Sequence, residues 1–278
     1  MSEALELVCV GGGNMASAIL LGASERGVFE AARVGVVDPN EAKREAFASA
    51  GFRVGASLGE FAGAIGERTQ LMLAVKPQVL PEVSGDLRDV LDGLGRPVVW
   101  SILAGVPSGV VRERCGGKAS VVRLMPNTPS RVGKGATAMA LGEGAEAGDE
   151  GLARRVFEAI GVVYSIEEDQ MDAFTAVAGS GPAYFFAMVE ALAEAGERVG
   201  LPGEVARGAA VQTAIGAAGL LEGSGLGPGE LREAVTSKGG TTAAGLGALA
   251  EGGFASVIGA AVEAARDRGA ELGRASAR

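Results

Sequence analysis

The chain has 278 residues, 47% hydrophobic and 21% charged, with a formal net charge of −9 and no histidine. This composition describes a globular chain long enough to bury one large core or two smaller ones. It argues against general nucleic-acid or anionic-membrane binding, since no basic stripe offsets the acidity, and it removes imidazole general-base schemes, Ser-His-Asp triads and most zinc enzymes.

Leu7 to Val10 form an apolar run that meets three glycines and then a helix-compatible segment, Asn14 to Ser24. Cys9 lies in that run and Cys115 in a polar loop, and two such cysteines make neither a disulfide framework nor a metal site. The opening MSEALE is acidic where a signal peptide is basic, and no run of about 18 residues is free of polar or charged side chains. A reduced, cytoplasmic protein with no membrane, nucleic-acid or metal partner is the expectation.

Gly11, Gly13 and Ala16 fall on G-x-G-x-x-A, the pattern of a strand turning tightly into a helix over a pyrophosphate. The phosphates would meet free N–H groups at the positive end of that helix. A second strand, Val34 to Val37, ends in Asp38, placed where a carboxylate accepts ribose hydroxyls of NAD and repels a 2′-phosphate. Lys43 and Arg44, on the following helix Asn40 to Ala50, are close enough to blur that preference.

A short strand at Phe52 to Val54 and a weak helix precede a buried strand, Thr69 to Val75, that ends in AVKPQ, where Pro77 begins the next helix. Lys76 is either a ligand contact at the carboxyl end of a parallel strand or a solvated lysine. Further strands are expected at Val98 to Leu103, ending in Ala104-Gly105, and at Ala119 to Leu124, which runs into MPNTP, Met125 to Pro129. Two prolines there fix an amide, Asn127, and a hydroxyl, Thr128, at the sheet edge that carries the glycine loop. Trp100, at a strand end, would then report cofactor binding by fluorescence.

Alternation of strand and helix implies a parallel sheet with right-handed crossovers, extended by strands at Ala136 to Ala140 and Gly161 to Ile166 around a helix, Gly148 to Ala159. From Glu168 strand signals stop. Helical segments follow at Pro182 to Val199, Pro202 to Leu221, Gly229 to Val235, Thr241 to Glu251 and Phe254 to Ala275, the first opened by a glycine turn, AGSGPAYFF. These helices are rich in Ala and Gly, bury little area each, and are expected to gain burial against a second subunit. The division is therefore an α/β domain at 1–167 and an all-α domain at 168–278.

Within the helical half, Ala234 to Leu249 reads AVTSKGGTTAAGLGAL. A turn through Gly239 and Gly240 opens a helix at Thr241 or Thr242, whose free N–H groups join the hydroxyls of Ser237, Thr241 and Thr242 in an anion pocket sized for a carboxylate. Spacing alone also fits plain helix capping by Ser and Thr.

The run VTSKGGTTAAGL, with GGGNMA, AVKPQ, SILAG, MPNTP and GSGPAY in the same order, resembles the pyrroline-5-carboxylate reductase family across nearly the whole chain. The resemblance implies an oxidoreductase acting on a CH–NH group: reduction of the cyclic imine of 1-pyrroline-5-carboxylate to L-proline with hydride from NADPH or NADH. It implies a Rossmann-type parallel-sheet domain followed by an all-α dimerisation domain, in a homo-oligomer built on a dimer. By motif, Val10, Gly11, Gly12, Gly13, Asn14 and Met15 would cradle the pyrophosphate, and Ala74, Val75, Lys76 and Pro77 would line the cofactor groove with Asp38. Ile102, Ala104 and Asn127 would approach the nicotinamide. Ser237, Gly239, Gly240, Thr241 and Thr242 would hold the substrate, with Ser237 and Thr242 catalytic and the Thr242 hydroxyl near the ring nitrogen, so that the two glycine-hinged helix starts serve one cleft.

Asp38-Pro39-Asn40 departs from the polar or basic cluster that takes the 2′-phosphate in many members, and Ser57 or Leu58 replaces a loop asparagine. Two other readings stand beside this one. A β-hydroxyacid dehydrogenase-like enzyme joins a similar cofactor domain to helices but needs a helical catalytic lysine, and no lysine occurs between Lys134 and Lys238. A non-catalytic NAD(P)-binding redox sensor would bind nucleotide and turn over nothing.

Overall fold

In β1, Leu7–Val10, every residue is buried, and the period of two sends Leu7 and Cys9 into one apolar layer and Val8 and Val10 into the other. Both faces being covered explains why the strand reads as a continuous apolar run. The computed structural model that shows this describes residues 4–276. Around β1 the chain builds β2 Val34–Val37, β3 Arg53–Gly55, β4 Gln70–Leu73, β5 Val98–Ser101, β6 Ser120–Met125, β7 Gly135–Leu141 and β8 Gly161–Ser165. The sheet order is β3-β2-β1-β4-β5-β6-β7-β8. Strand order reverses on either side of β1, between β2 and β4, the switch point at which open α/β sheets bind ligands.

The crossover helices α1 Asn14–Glu25, α2 Glu41–Ser49, α3 Leu80–Leu91, α4 Ser108–Arg114 and α5 Gly151–Glu158 cover the sheet. The layer containing Cys9 packs Ile19, Leu20, Phe47, Trp100 and Phe157, and the opposite layer packs Leu71, Leu73, Leu87, Val99 and Val121. Phe47 and Phe52 meet edge to face, with ring centroids 5.6 Å apart, which fixes α2 against the start of β3.

Several sequence expectations change here. β7 runs antiparallel to β6, so the sheet is parallel only from β3 through β6 and again between β7 and β8. Helix α4 was not expected, and Cys115 is its buried C-terminal cap rather than part of a polar loop. Trp100 is the third residue of β5, fully buried, with its indole Nε1–H donating to Gln70 Oε1 at 2.6 Å. It sits in the core layer that holds Cys9. The glycine turn AGSGPAYFF opens α7 Gly181–Arg198 as expected, and before it lie α6 Met171–Phe174 and a π-helical segment, Thr175–Gly179, that the sequence did not announce.

Behind α7 come α8 Gly203–Gly223, α9 Pro228–Ala234, α10 Thr241–Glu251 and α11 Phe254–Ser276. Compactness groups the chain to Ser180 with the stretch from Ala265 onward as one unit and Gly181–Ala264 as a second. In the first unit the end of α11 approaches the loop after β5 so closely that a Cβ on Gly273 would stand 2.9 Å from the Gly105 carbonyl oxygen. Glu168 staples the same unit. Its carboxylate accepts the Ser108 N–H at 2.7 Å and a guanidinium N–H of buried Arg123 at 3.1 Å, while the Ser108 hydroxyl donates to its other oxygen.

In the second unit α7 and α8 approach through small residues; a Cβ on Gly196 would be 3.1 Å from that of Ala206. Large apolar side chains are left outside. Phe185, Met188 and Leu192, spaced i, i+3, i+7 along α7, are 68%, 44% and 51% exposed. An 18-residue window within the helical run Glu168–Arg198 is, by length and composition alone, apolar enough to cross a membrane, with a mean hydropathy of 1.2.

Candidate active site

Three consecutive glycines close β1, each for a different reason. Gly11 has φ +106°, and a Cβ there would lie 2.7 Å from the Ala74 carbonyl oxygen at the end of β4. A Cβ on Gly12 would come within 3.2 Å of the Phe47 ring and 3.3 Å of Asp38 Cβ. Around Gly13 there is no such neighbour within 4 Å. Internal packing therefore explains the first two glycines and not the third, whose bare backbone faces open space. Gly13 is also the N-cap of α1, extended at φ −76° and ψ 179°, with no side-chain cap and no acidic residue in the first turn. Unneutralised N–H groups and the positive helix end face that space, a fit for a pyrophosphate.

A cleft of about 410 Å³ opens beside this loop. Of the expected cofactor residues, Val10, Gly11, Gly13, Asp38, Ala74, Val75 and Lys76 line it together; Gly12, Asn14, Met15, Pro77, Ile102, Ala104 and Asn127 do not. Sequence reading missed Val37, Pro39, Ala56, Val79, Glu82, Val83 and Asp86 among the lining, and it treated Lys43, Ser57 and Leu58 as marginal. The loop after β3 and the first turns of α3 carry no motif of their own, and their contribution follows from strand order.

Asp38 is almost fully buried, and its carboxylate is engaged by the protein itself. Oδ2 accepts the Gly12 N–H at 2.9 Å and the Lys43 ammonium at 3.1 Å, and Oδ1 accepts the Asn40 N–H at 2.9 Å. Burial raises its pKa, but the hydrogen bonds from Asn40, Gly12 and Lys43 outweigh that and hold it below the usual 3.8. Burial pushes the Cys9 thiol up strongly and the Cys115 thiol up to about 12, so neither supplies a thiolate nucleophile near neutral pH.

Asn127 follows β6 at the start of a short 3-10 turn, Thr128–Val132, with its carboxamide bridging two segments. Oδ1 accepts the Ala136 N–H and Nδ2 donates to the Ala178 carbonyl in the π-helical segment, both at 2.9 Å. One Nδ2 hydrogen remains. The wide π turn frees the Ala178 carbonyl for this bond, and such segments recur at functional sites. Ile102 and Ala104 follow β5, with the Ile102 N–H donating to the Leu73 carbonyl at 3.2 Å.

In the second unit, Gly239 (φ +72°) precedes Gly240, the N-cap of α10, extended at φ −83° and ψ 174°. No side-chain hydrogen bond caps this helix and its first turn has no acidic residue, so plain capping by Ser or Thr is not what the local sequence does. A Cβ on Gly240 would clash with Ser237 Oγ at 2.3 Å, which places that hydroxyl against the bare N-terminus. Ser237, Thr241 and Thr242 are exposed around it. Helices α1 and α10 thus begin alike, each with a positive-φ glycine shortly before an extended glycine cap and an uncompensated dipole. Among the described residues no group of three or more Cys, Asp or Glu side chains could hold a metal ion.

Comparison with known proteins agrees with both halves. A family model described as pyrroline-5-carboxylate reductase dimerisation matches residues 168–272, and one described as NADP oxidoreductase, coenzyme F420-dependent, matches residues 6–105. Pyrroline-5-carboxylate reductase of Pisum sativum is 37% identical over 272 residues, covering 98% of this chain and 97% of its own. That of Synechocystis is 40% identical over 271 residues, covering 97% and 99%. Among solved structures, a pyrroline-5-carboxylate reductase from Coxiella burnetii aligns with TM-score 0.88 at 33% identity, covering 97% of this chain and 99% of that one. Pyrroline carboxylate reductase of Plasmodium falciparum with NADP bound aligns with TM-score 0.82 at 27% identity, covering 98% and 99%. With relatives of 37% and 40% identity along nearly its whole length, the chain belongs to the pyrroline-5-carboxylate reductase family.

Proposed function

We propose that this chain reduces 1-pyrroline-5-carboxylate to L-proline with NADPH or NADH, the last step of proline biosynthesis, as the names of its full-length relatives indicate. The observation that carries the cofactor half is Gly13, the one glycine of the three after β1 whose missing side chain no protein atom explains, standing at an uncapped helix start beside the cleft. Gly13, Asn14 and Met15 would offer backbone N–H groups to the pyrophosphate, Gly11 and Gly12, whose own N–H groups bond Val37 and Asp38, would shape the loop, and Ala74 to Lys76 would line the nucleotide groove. Ile102, Ala104 and the free Nδ2 hydrogen of Asn127 are assigned to the nicotinamide end. The bound nicotinamide supplies the hydride.

The substrate carboxylate is assigned to the bare N-terminus of α10, where the N–H groups after Gly240 and the Ser237 and Thr241 hydroxyls supply donors without a competing acid. A protonated cyclic imine is already electrophilic. The protein needs chiefly to orient it and exclude water, and a chain with no histidine can do that. The Thr242 hydroxyl orients the ring nitrogen. The division of labour proposed is a cofactor half at residues 1–167 and a dimerisation and substrate half at 168–278, in a cytoplasmic homodimer or larger oligomer without nucleic acid, membrane or metal. The exposed stripe Phe185, Met188 and Leu192 is assigned to the partner subunit rather than to lipid.

Oxidation of NADPH or NADH that depends on added pyrroline-5-carboxylate, with proline as product, tests this reading. Oxidation with a β-hydroxyacid's keto partner instead, or tight nucleotide binding without turnover of either, would replace it with the dehydrogenase or the redox-sensor alternative.

A further inference from the structure

The acid at the end of β2 is, by position, the residue that favours an unphosphorylated ribose and repels a 2′-phosphate. In this chain that acid is neutralised. Asp38 spends its carboxylate on the Gly12 and Asn40 N–H groups and on the Lys43 ammonium, 3.1 Å from Oδ2. Its side chain is 7% exposed, whereas that of Lys43 is 48% exposed. Lys43 also lines the nucleotide cleft and keeps two ammonium N–H donors beyond the one on Asp38.

The surrounding turn adds to this. Asn40 caps α2 by accepting the Lys43 backbone N–H at 3.3 Å, which fixes the base of the lysine. Arg44 sets its guanidinium on the Asp38 and Pro39 carbonyls at 2.8 Å each. One carboxylate and two cations therefore share the turn after β2. From α3, across the same cleft, come the acids Glu82 and Asp86, so an added dianion has its favourable contact at the Lys43 side.

Resting on the nucleotide reading of the cleft, we propose that Lys43 is the specificity-determining residue for the cofactor. It cancels the Asp38 charge and binds the 2′-phosphate, which makes the chain accept the 2′-phosphorylated dinucleotide despite an acid at the position that favours NAD. Asp38 acts as an internal staple that holds the lysine, the glycine loop and the start of α2 together.

Titration calorimetry of the full chain with 2′,5′-ADP and with 5′-AMP tests this without turnover. Lys43→Met is expected to weaken 2′,5′-ADP binding about tenfold or more, the loss of one charge-assisted contact, and to change 5′-AMP binding by less than about twofold. Lys43→Arg is expected to retain most of the 2′,5′-ADP affinity. Equal losses for both probes, or none for 2′,5′-ADP, would overturn the assignment. If the unaltered chain bound neither probe, the nucleotide reading itself would fall, an outcome distinct from the variant failing to discriminate.

Discussion

Gly11 Cα faces the Ala74 carbonyl across the switch point of the sheet, so closely that a Cβ would stand 2.7 Å from that oxygen. The loop and the end of β4 are thereby fixed to each other, and the Ala74 N–H donates to the Val10 carbonyl at 2.8 Å beside them. Gly11→Ala meets two penalties, a φ of +106° and an overlap with backbone that no rotamer relieves. The expected cost is about 2–5 kcal/mol of stability with loss of nucleotide binding, read by thermal unfolding and calorimetry. Gly13→Ala, with open space around its Cβ, is expected to keep stability within about 1 kcal/mol and to lose nucleotide affinity all the same. Unimpaired binding in Gly13→Ala would remove the pyrophosphate from this loop.

The Glu168 staple makes a stability prediction. Glu168→Ala leaves the guanidinium of Arg123, 9% exposed, and both Ser108 donors without their acceptor. Breaking a largely buried pair on one side costs about 2–4 kcal/mol. Denaturant unfolding that shifted by less than about 1 kcal/mol would show that solvent replaces the carboxylate.

Asp38 gives the fold a pH dependence of definite sign. Its folded pKa lies below the ordinary 3.8, so its contribution is complete above that value and is lost as pH falls through the folded value. Asp38→Asn is therefore expected to lower Tm at neutral pH, with the gap to the unaltered chain closing as pH falls below the ordinary 3.8 and through the lower folded value. A gap that persisted undiminished in acid would mean that shape rather than charge sets the effect.

The apolar stripe on α7 predicts assembly. Phe185→Lys introduces a charge among side chains that are otherwise 44% and 51% exposed at Met188 and Leu192. Light scattering is expected to show the dimer dissociating to monomer at concentrations where the unaltered chain remains assembled. An unchanged mass would place the interface elsewhere.

What the sequence made legible was local. The strand, glycine loop and α1 were readable because three glycines and a β-branched run state their conformations within about a dozen residues. The limits of α10 came from Gly240 and the threonines after it in the same way. Helix α4 was missed because its seven residues, SGVVRER, are too short for a periodic signal. The antiparallel turn of β7 was missed because strand direction depends on pairing and not on composition. The full burial of Trp100 follows from pairing too, since β5 lies inside the sheet with Val99 in one apolar layer and Trp100 in the other. The Lys43 contact with Asp38 joins a strand end to the next helix, and sequence could place the two near each other without telling a paired lysine from a solvated one.

The central claim is that the bare start of α10 holds the substrate and the glycine loop holds the cofactor, in the service of one reaction. Thr242→Ala is its most direct test, measured as kcat/KM for pyrroline-5-carboxylate alongside the Kd for NADPH. The expected result is a fall in kcat/KM of about 10²-fold, the loss of one oriented hydrogen bond in the transition state, with the nucleotide Kd unchanged. An unaltered kcat/KM, or a loss confined to nucleotide affinity, would contradict it.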